Sequence, residues 1–225
     1  MWNLATSNQS ALTLVIGNHN YSSWSLRAWF FMRRSGLYFE QKRLALFESD
    51  FHEKLSQYSD AGRVPVLIDN DLQVWDSLAI CEYLSEAHLA GSGWPQSLQD
   101  RAKARSIASE VHSGFANLRH ALPMNCRAKR SIAVDDRVRS EIDRIDQIWS
   151  DPWFINAREK GADLGILDSF FAPIASRFYT YQIELTEPAS HYRDWLLQTP
   201  ELMEWYQLAS QESEVIEEEE VGTPL

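Results

Sequence analysis

In the run Leu12-Thr13-Leu14-Val15-Ile16-Gly17-Asn18-His19-Asn20-Tyr21-Ser22-Ser23-Trp24-Ser25-Leu26-Arg27-Ala28-Trp29 a strand gives way directly to a helix. Apolar and β-branched residues closed by Gly17 and Asn18 have the pattern of a buried strand. Serines ahead of Leu26, Trp29 and Phe30 have the pattern of a helix start. Hydroxyl groups therefore stand at a strand-to-helix turn, where free backbone N–H groups and the positive end of the helix dipole favour an anion or a thiolate. Two readings of Ser22 and Ser23 are open here: plain helix caps, which serine commonly supplies, or donors to a bound anionic group.

The chain has 225 residues, 44% of them hydrophobic and 12% aromatic, enough to fill the core of one large domain or two small ones. Its net charge of -11 opposes association with nucleic-acid phosphates or an anionic membrane surface, and favours a small molecule or a protein as partner. Residues 1–10 carry neither a basic nor an apolar leader pattern, and no apolar run approaches the ~20 residues that span a bilayer, so the expected location is cytoplasmic. The two cysteines, Cys81 and Cys126, fall in separate halves and form no Cys-x-x-Cys pair, which argues against a disulfide framework. The histidines show no ligand spacing, and no metal site is expected.

Along the chain, Ser35-Gly36 reads as a helix stop, Tyr38 to Leu46 as a second strand and Glu48 to Tyr58 as a short polar helix. Ser59-Asp60-Ala61-Gly62 is turn chemistry ahead of Arg63-Val64-Pro65-Val66-Leu67-Ile68. In that strand Pro65 must lie at an edge or at the start, where a cis bond is accessible and would face the Val64 backbone groups outward. Asp69-Asn70-Asp71 turns the chain into Leu72 to Trp75, an antiparallel partner. Asp76-Ser77 opens a helix that buries Ile80, Cys81, Leu84 and Ala87.

Leu89 to Pro95 shifts to Gly, Ser, Trp and Pro, the composition of a linker. Beyond it the pattern is helical. Ile107 to Leu122, Val134 to Trp149 and Leu167 to Tyr181 each carry an apolar stripe of the kind that fills a core. Asp151-Pro152 breaks the chain, Asn156 to Asp163 reads as a longer loop, and Pro200 begins a last helix. The acidic run Glu212 to Glu220 is expected to be disordered or frayed by self-repulsion. The expected organisation is 11–88 as an α/β domain, 89–96 as linker, 97–210 as an all-helical domain and 211–225 as an acidic tail.

A β-α-β-α-β-β-α half followed by an all-helical half resembles the cytosolic glutathione transferase family. Ser22-Ser23-Trp24-Ser25-Leu26-Arg27 resembles the serine-type signature of its zeta and theta-like classes, Arg63-Val64-Pro65-Val66-Leu67 its Val-Pro element, and Asp76-Ser77 its acidic-Ser pair. Gly165 to Pro173 is similar to the family's capping segment in the helical half. Trp24 stands where the zeta signature has Cys. Gly165 replaces the usual Ser or Thr, which leaves Asp168 to carry the capping box. The resemblance implies a thioredoxin-like N-terminal domain that holds glutathione as co-substrate, a helical domain that builds the electrophile pocket, and a homodimer.

It also assigns roles. A thiol of pKa about 8.5 needs about 2.7 kcal/mol of preferential thiolate stabilisation to drop by 2 units. One hydroxyl donor supplies roughly 1.5 to 3 kcal/mol and a helix N-terminus roughly 0.3 to 1 more. Ser22 is the first candidate donor, with Ser23 and Tyr21 as alternatives. Val64 would pair with the cysteinyl unit of the peptide as an added strand does. Asp76 and Ser77 would take the γ-glutamyl ammonium and carboxylate, unless they serve only as a helix cap. Arg63, Arg27 or His52 would take the glycyl carboxylate. Pro65 and Asp168 are structural in this reading, and His112, Phe115, Arg119 and His120 are candidates for the electrophile side. The expected function is addition of the glutathione thiolate to a small electrophile, in detoxification. The alternatives are glutathione-dependent cis-trans isomerisation of a small unsaturated diacid, which calls for cationic residues at the electrophile site, and a non-catalytic glutathione-binding or stress-associated module. Thiol-disulfide exchange is disfavoured because no cysteine stands at the helix start.

Overall fold

A computed structural model of the chain describes residues 12–159 and 165–225. The first half runs β1 (Leu12–Ile16), α1 (Ser23–Arg34), β2 (Phe39–Arg43), α2 (Phe51–Ser56), β3 (Val66–Asp69), β4 (Leu72–Trp75) and α3 (Ser77–His88). The sheet order is β2-β1-β3-β4, with β1 parallel to β2 and antiparallel to β3. This is the thioredoxin-like arrangement, reached because β1 alternates strictly. Leu12, Leu14 and Ile16 point into one core with α1 and α3, and Val15 points to the other face against Phe51, Leu55 and Val66. The second strand and second helix are shorter than their sequence patterns. Tyr38, 85% exposed, and Phe47, 77% exposed, fall outside them.

The second half is mostly helical: α4 (Leu98–Ser113), α5 (Ala116–Ala121), α6 (Asp136–Trp149), α7 (Pro152–Glu159), α8 (Ile166–Thr180), α9 (Glu187–Leu197) and α10 (Pro200–Ser210), with a two-stranded ribbon of β5 (Arg130–Ser131) and β6 (Thr223–Pro224). The stripe from Ile107 to Leu122 is buried as expected but crosses two helices, because Gly114 and the left-handed Phe115 break α4 from α5. Asp151-Pro152 begins a helix rather than only ending one, with Pro152 at its first position, and Asn156 to Glu159 belong to α7. Residue 11 and residues 160–163 of the expected loop lie outside the described residues. Nearly all of α8 is buried, and it lies against α1, so one continuous hydrophobic cluster joins the two halves.

Residues 89–96 are not a free linker. Gly93 donates its N–H to Ser85 Oγ at 3.0 Å and accepts from the Ile166 amide at 3.0 Å, and Trp94, 4% exposed, donates to Glu82 at 2.9 Å. Asp168 is fully buried and accepts the Tyr192 hydroxyl at 2.7 Å, which ties α8 to α9.

The acidic tail is a correction to the sequence reading. Instead of fraying, residues 211–225 lie along the protein, with a short 3-10 turn at Glu217–Glu219 and β6 paired to β5. Self-repulsion is offset by cations that only the tertiary structure supplies: Arg43 pairs with Glu214 at 2.8 Å, Arg130 with Glu220, and Arg127 donates to the carbonyls of Glu212 and Glu214.

Gly165 has φ +56 and packs on the linker, so that a Cβ there would stand 2.4 Å from the Gly93 carbonyl oxygen. Gly165→Ala is expected to cost about 1–3 kcal/mol or more of stability. Urea denaturation of the two proteins measures it, and equal midpoints would contradict this packing.

Candidate functional site

A Cβ on Gly17 would meet the Leu46 side chain at 2.9 Å, and this close approach brings the segment ahead of α2 against the end of β1. A cleft of 1120 Å³ opens beside it. Its wall runs from Trp24 through Leu46 to Glu48, Phe51 and His52, then Ala61 to Pro65, and finally Trp75, Asp76 and Ser77. Arg63, Val64, Pro65, His52, Asp76 and Ser77 of the sequence reading are thus brought to one cavity. The Val64-Pro65 bond is cis, and the β3 ladder begins only at Val66, so Val64 lies outside the sheet register.

Asp76 has φ 74, an unfavourable backbone for a residue other than glycine. Its Oδ1 accepts from the Leu78 and Ala79 amides at 2.8 and 3.2 Å, so the cap role is realised, while Oδ2 lies 3.2 Å from His112 Nε2. Ser77 is fully buried on the cleft wall, and its hydroxyl has no hydrogen-bond partner among the described residues. A buried hydroxyl left unpaired costs about 1–3 kcal/mol, and a ligand acceptor at that position would recover it.

At the α1 start the three candidate hydroxyls have separate surroundings, and none is on the named cleft wall. Ser22 is the N-cap residue, yet its side chain makes no cap hydrogen bond. It donates instead to Ser25 Oγ at 2.7 Å, which also accepts from the Gly17 amide at 3.1 Å. Ser23 Oγ accepts from Arg177 Nη2 at 3.1 Å. The Tyr21 hydroxyl faces the acidic tail: it donates to Glu220 Oε1 at 2.7 Å and accepts from Arg127 at 3.1 Å and from the Ile216 amide at 3.3 Å. Burial and the Glu220 carboxylate raise its pKa.

Arg27 is likewise displaced from its expected place. It is 2% exposed and sandwiched, its guanidinium 4.2 Å from the Trp24 ring centroid and 4.6 Å from that of Phe170. Its Nε and Nη1 have no partner among the described residues, and burial, with Arg177 and Arg119 nearby, lowers its pKa to about 9. Arg119 also approaches Trp24, at 5.5 Å, and the His112 ring meets it edge-on at 5.3 Å. Phe115 is buried and His120 exposed, so of the four electrophile-side candidates His112 and Arg119 are the ones that reach Trp24.

Phe47 and Trp75 were not singled out in the sequence, and Trp24 only as a departure from the zeta signature. The available signal is phase: Trp75 shares the strand face of Gln73, an exposed position, and it is 57% exposed. Cys81 and Cys126 are both buried, and burial pushes their thiols up, to about 12 for Cys126. Among the described residues no cluster of three or more His, Cys, Asp or Glu could hold a metal, and no helix is long and apolar enough to cross a membrane.

Burial and then the two arginines lower the His112 pKa against the opposing pull of Asp76. A lowered pKa means that the folded state binds fewer protons than the unfolded one near pH 6.5, so this contribution to stability is lost as pH falls below that value. Imidazole NMR is expected to give a His112 midpoint below 6.5, and a midpoint above it would mean that Asp76 outweighs the burial.

The family model for the glutathione S-transferase N-terminal domain matches residues 21–87. The chain is 27% identical over 179 residues to glutathione S-transferase 1 of Dianthus caryophyllus, covering 74% of this chain and 78% of that one. It is 31% identical over 104 residues to a probable maleylacetoacetate isomerase of Caenorhabditis elegans, over 46% of this chain and 49% of that one. In structure it is similar to a glutathione transferase homolog from Burkholderia with bound glutathione, with TM-score 0.67 and 21% identity over 90% of this chain and 100% of the other. It is also similar to the theta-class enzyme of Xanthomonas axonopodis pv. citri with glutathione bound, with TM-score 0.59 and 19% identity over 91% and 99%. The chain thus carries a glutathione S-transferase N-terminal domain over residues 21–87, joined to a helical half in an architecture similar to that of the glutathione transferases.

Proposed function

We propose that this chain binds glutathione in the 1120 Å³ cleft and adds its thiolate to a small electrophile. The observation that carries the reading is the pairing, across one cleft, of a strand edge left outside the ladder at Val64 with the unpartnered buried hydroxyl of Ser77 at the start of α3. A short peptide with a carboxylate at its end satisfies both. Val64 pairs with the cysteinyl backbone, and the Ser77 hydroxyl and the α3 N-terminus take the γ-glutamyl carboxylate. The Asp76 oxygen not used in capping faces the ammonium. Arg63 and His52, both exposed on the same wall, serve the glycyl carboxylate, and Arg27 is excluded from that task by its burial.

The thiol then points toward the α1 start, where Ser22 is the favoured donor. Tyr21 is committed to the tail and Ser23 to Arg177. Among the described residues the Ser22 hydroxyl is bound only to Ser25, and rotation about its Cα–Cβ bond would redirect the proton to a sulfur. The hydroxyl acts as a donor and not as a base, since an alcohol has no proton-accepting power near neutrality.

A second reading, isomerisation of a small unsaturated diacid, is favoured by Arg27 and Arg119 around Trp24, the cationic setting that it requires. The partial similarity to the Caenorhabditis elegans isomerase points the same way. The proposal includes a cytoplasmic homodimer engaged in detoxification. The exposed Leu72 and Trp75 on β4 offer apolar surface for the dimer contact.

Calorimetry with glutathione and conjugation to a chloronitroarene, for the native chain and for Ser22→Ala, Ser23→Ala and Tyr21→Phe, test the assignment. Ser22→Ala is expected to lower kcat about tenfold to a hundredfold while glutathione still binds. Absence of binding by the native chain would sink the site, and an unchanged kcat in Ser22→Ala would transfer the role to a neighbour. For the second reading, Arg119→Ala is expected to raise KM for a dicarboxylate by about tenfold or more and leave the neutral chloronitroarene unaffected.

A further inference from the structure

We propose that Glu212 is a positioning residue for the thiol-binding turn: the tail folds back across residues 18–21, and this carboxylate fixes where α1 begins and therefore where the Ser22 hydroxyl stands. The inference rests on the reading of the cleft given above.

The geometry is specific. Glu212 Oε1 accepts from the His19 amide at 2.7 Å and lies 2.9 Å from His19 Nδ1, and Oε2 accepts from the Asn20 amide at 3.0 Å. Its side chain is 5% exposed, which shields the carboxylate from most of the solvent. Two consecutive backbone donors on one carboxylate set both the position and the orientation of the turn. Although burial pushes the Glu212 pKa up, the hydrogen bonds from His19 and Asn20 hold it below the usual carboxylate range. From this turn the Ser22 amide donates to the Asn18 carbonyl at 2.9 Å, and the Ser22 carbonyl accepts from Leu26 at 3.1 Å, so that the helix start inherits whatever position the turn takes. Glu220 secures the far end of the strap, accepting from Tyr21 and from Asn125 Nδ2 at 2.7 Å each.

A hydrogen bond that stabilises a thiolate requires placement to within about 0.5 Å. The strap supplies that placement from a segment remote in sequence from the proposed glutathione-binding residues, which lie between α2 and the start of α3. The sign of the effect separates placement from simple charge. A carboxylate near the sulfur disfavours the thiolate by Coulomb repulsion, so deleting it as a charge would lower the thiol pKa. Losing the placement of Ser22 would raise it.

The test uses the full chain with Glu212→Ala, Glu212→Gln and, as a charge control, the double variant Glu217→Gln/Glu218→Gln at exposed tail positions. Thiolate absorbance of bound glutathione is titrated, and kcat and KM are measured with a neutral electrophile. Glu212→Ala is expected to raise the thiol pKa by about one unit and lower kcat near neutrality about tenfold, with KM for glutathione changed less than about twofold. Glu212→Gln, which keeps one accepting oxygen, should fall between, and the control should match the native chain. An unchanged or lowered thiol pKa in Glu212→Ala overturns the proposal. Amide exchange on the native chain needs no variant: His19 and Asn20 are expected to be protected, and exchange at open-loop rates overturns the proposal too. Failure of the native chain to bind glutathione would instead overturn the reading of the cleft, with amide protection still reporting on the strap.

Discussion

The turn between β1 and α1 is buried, and a buried turn must find a partner for every backbone polar group it carries. At its centre, His19 and Asn20, the partners found are remote in the chain. The His19 carbonyl accepts the Trp205 indole N–H at 2.7 Å, the Asn20 carbonyl accepts the Cys126 amide at 3.2 Å, and the His19 and Asn20 amides go to Glu212. The Asn20 side chain completes the set, donating to Asn125 and accepting from the Arg127 amide. The turn that presents the serines is therefore held by α10, by the loop after α5 and by the tail, and it takes its shape only when the second half is in place.

The same dependence appears in the packing. α1 is covered by the sheet on one side and by α8 on the other, and the hydrophobic cluster runs without a break from Leu14 to Trp205. Such an interface resembles a core more than a contact between mobile domains. The named wall residues of the cleft nevertheless all come from the first half.

Charge is arranged against the overall balance. In a chain of net charge -11, Arg27, Arg119 and Arg177 gather near Trp24 and the α1 start, and the first two lie against its ring. Burial lowers the pKa of all three, which marks them as held out of water at a cost, and Arg27 carries unpartnered donors as well. The acidic excess lies partly in the tail, where Arg43, Arg127 and Arg130 take it up.

Much of the molecule was legible from local pattern. The alternation in Leu12 to Ile16, the turn chemistry before Pro65, the Asp76-Ser77 helix start and the stripe in α8 each depend on residues close in the chain, where periodicity and turn preference act directly. These fixed the order of elements and brought Arg63, Val64, Asp76 and Ser77 to one wall. What the sequence alone could not decide was the orientation of side chains whose partners lie far away. Whether Tyr21, Ser22 or Ser23 was available depended on Glu220, Ser25 and Arg177. Arg27 was withdrawn from the cleft by Trp24 and Phe170, and Asp76 was turned to both a cap and His112. The acidic tail looked self-repelling because its compensating arginines stand 85 residues or more away in the chain, and cations recruited across such separations are a property of the tertiary fold alone.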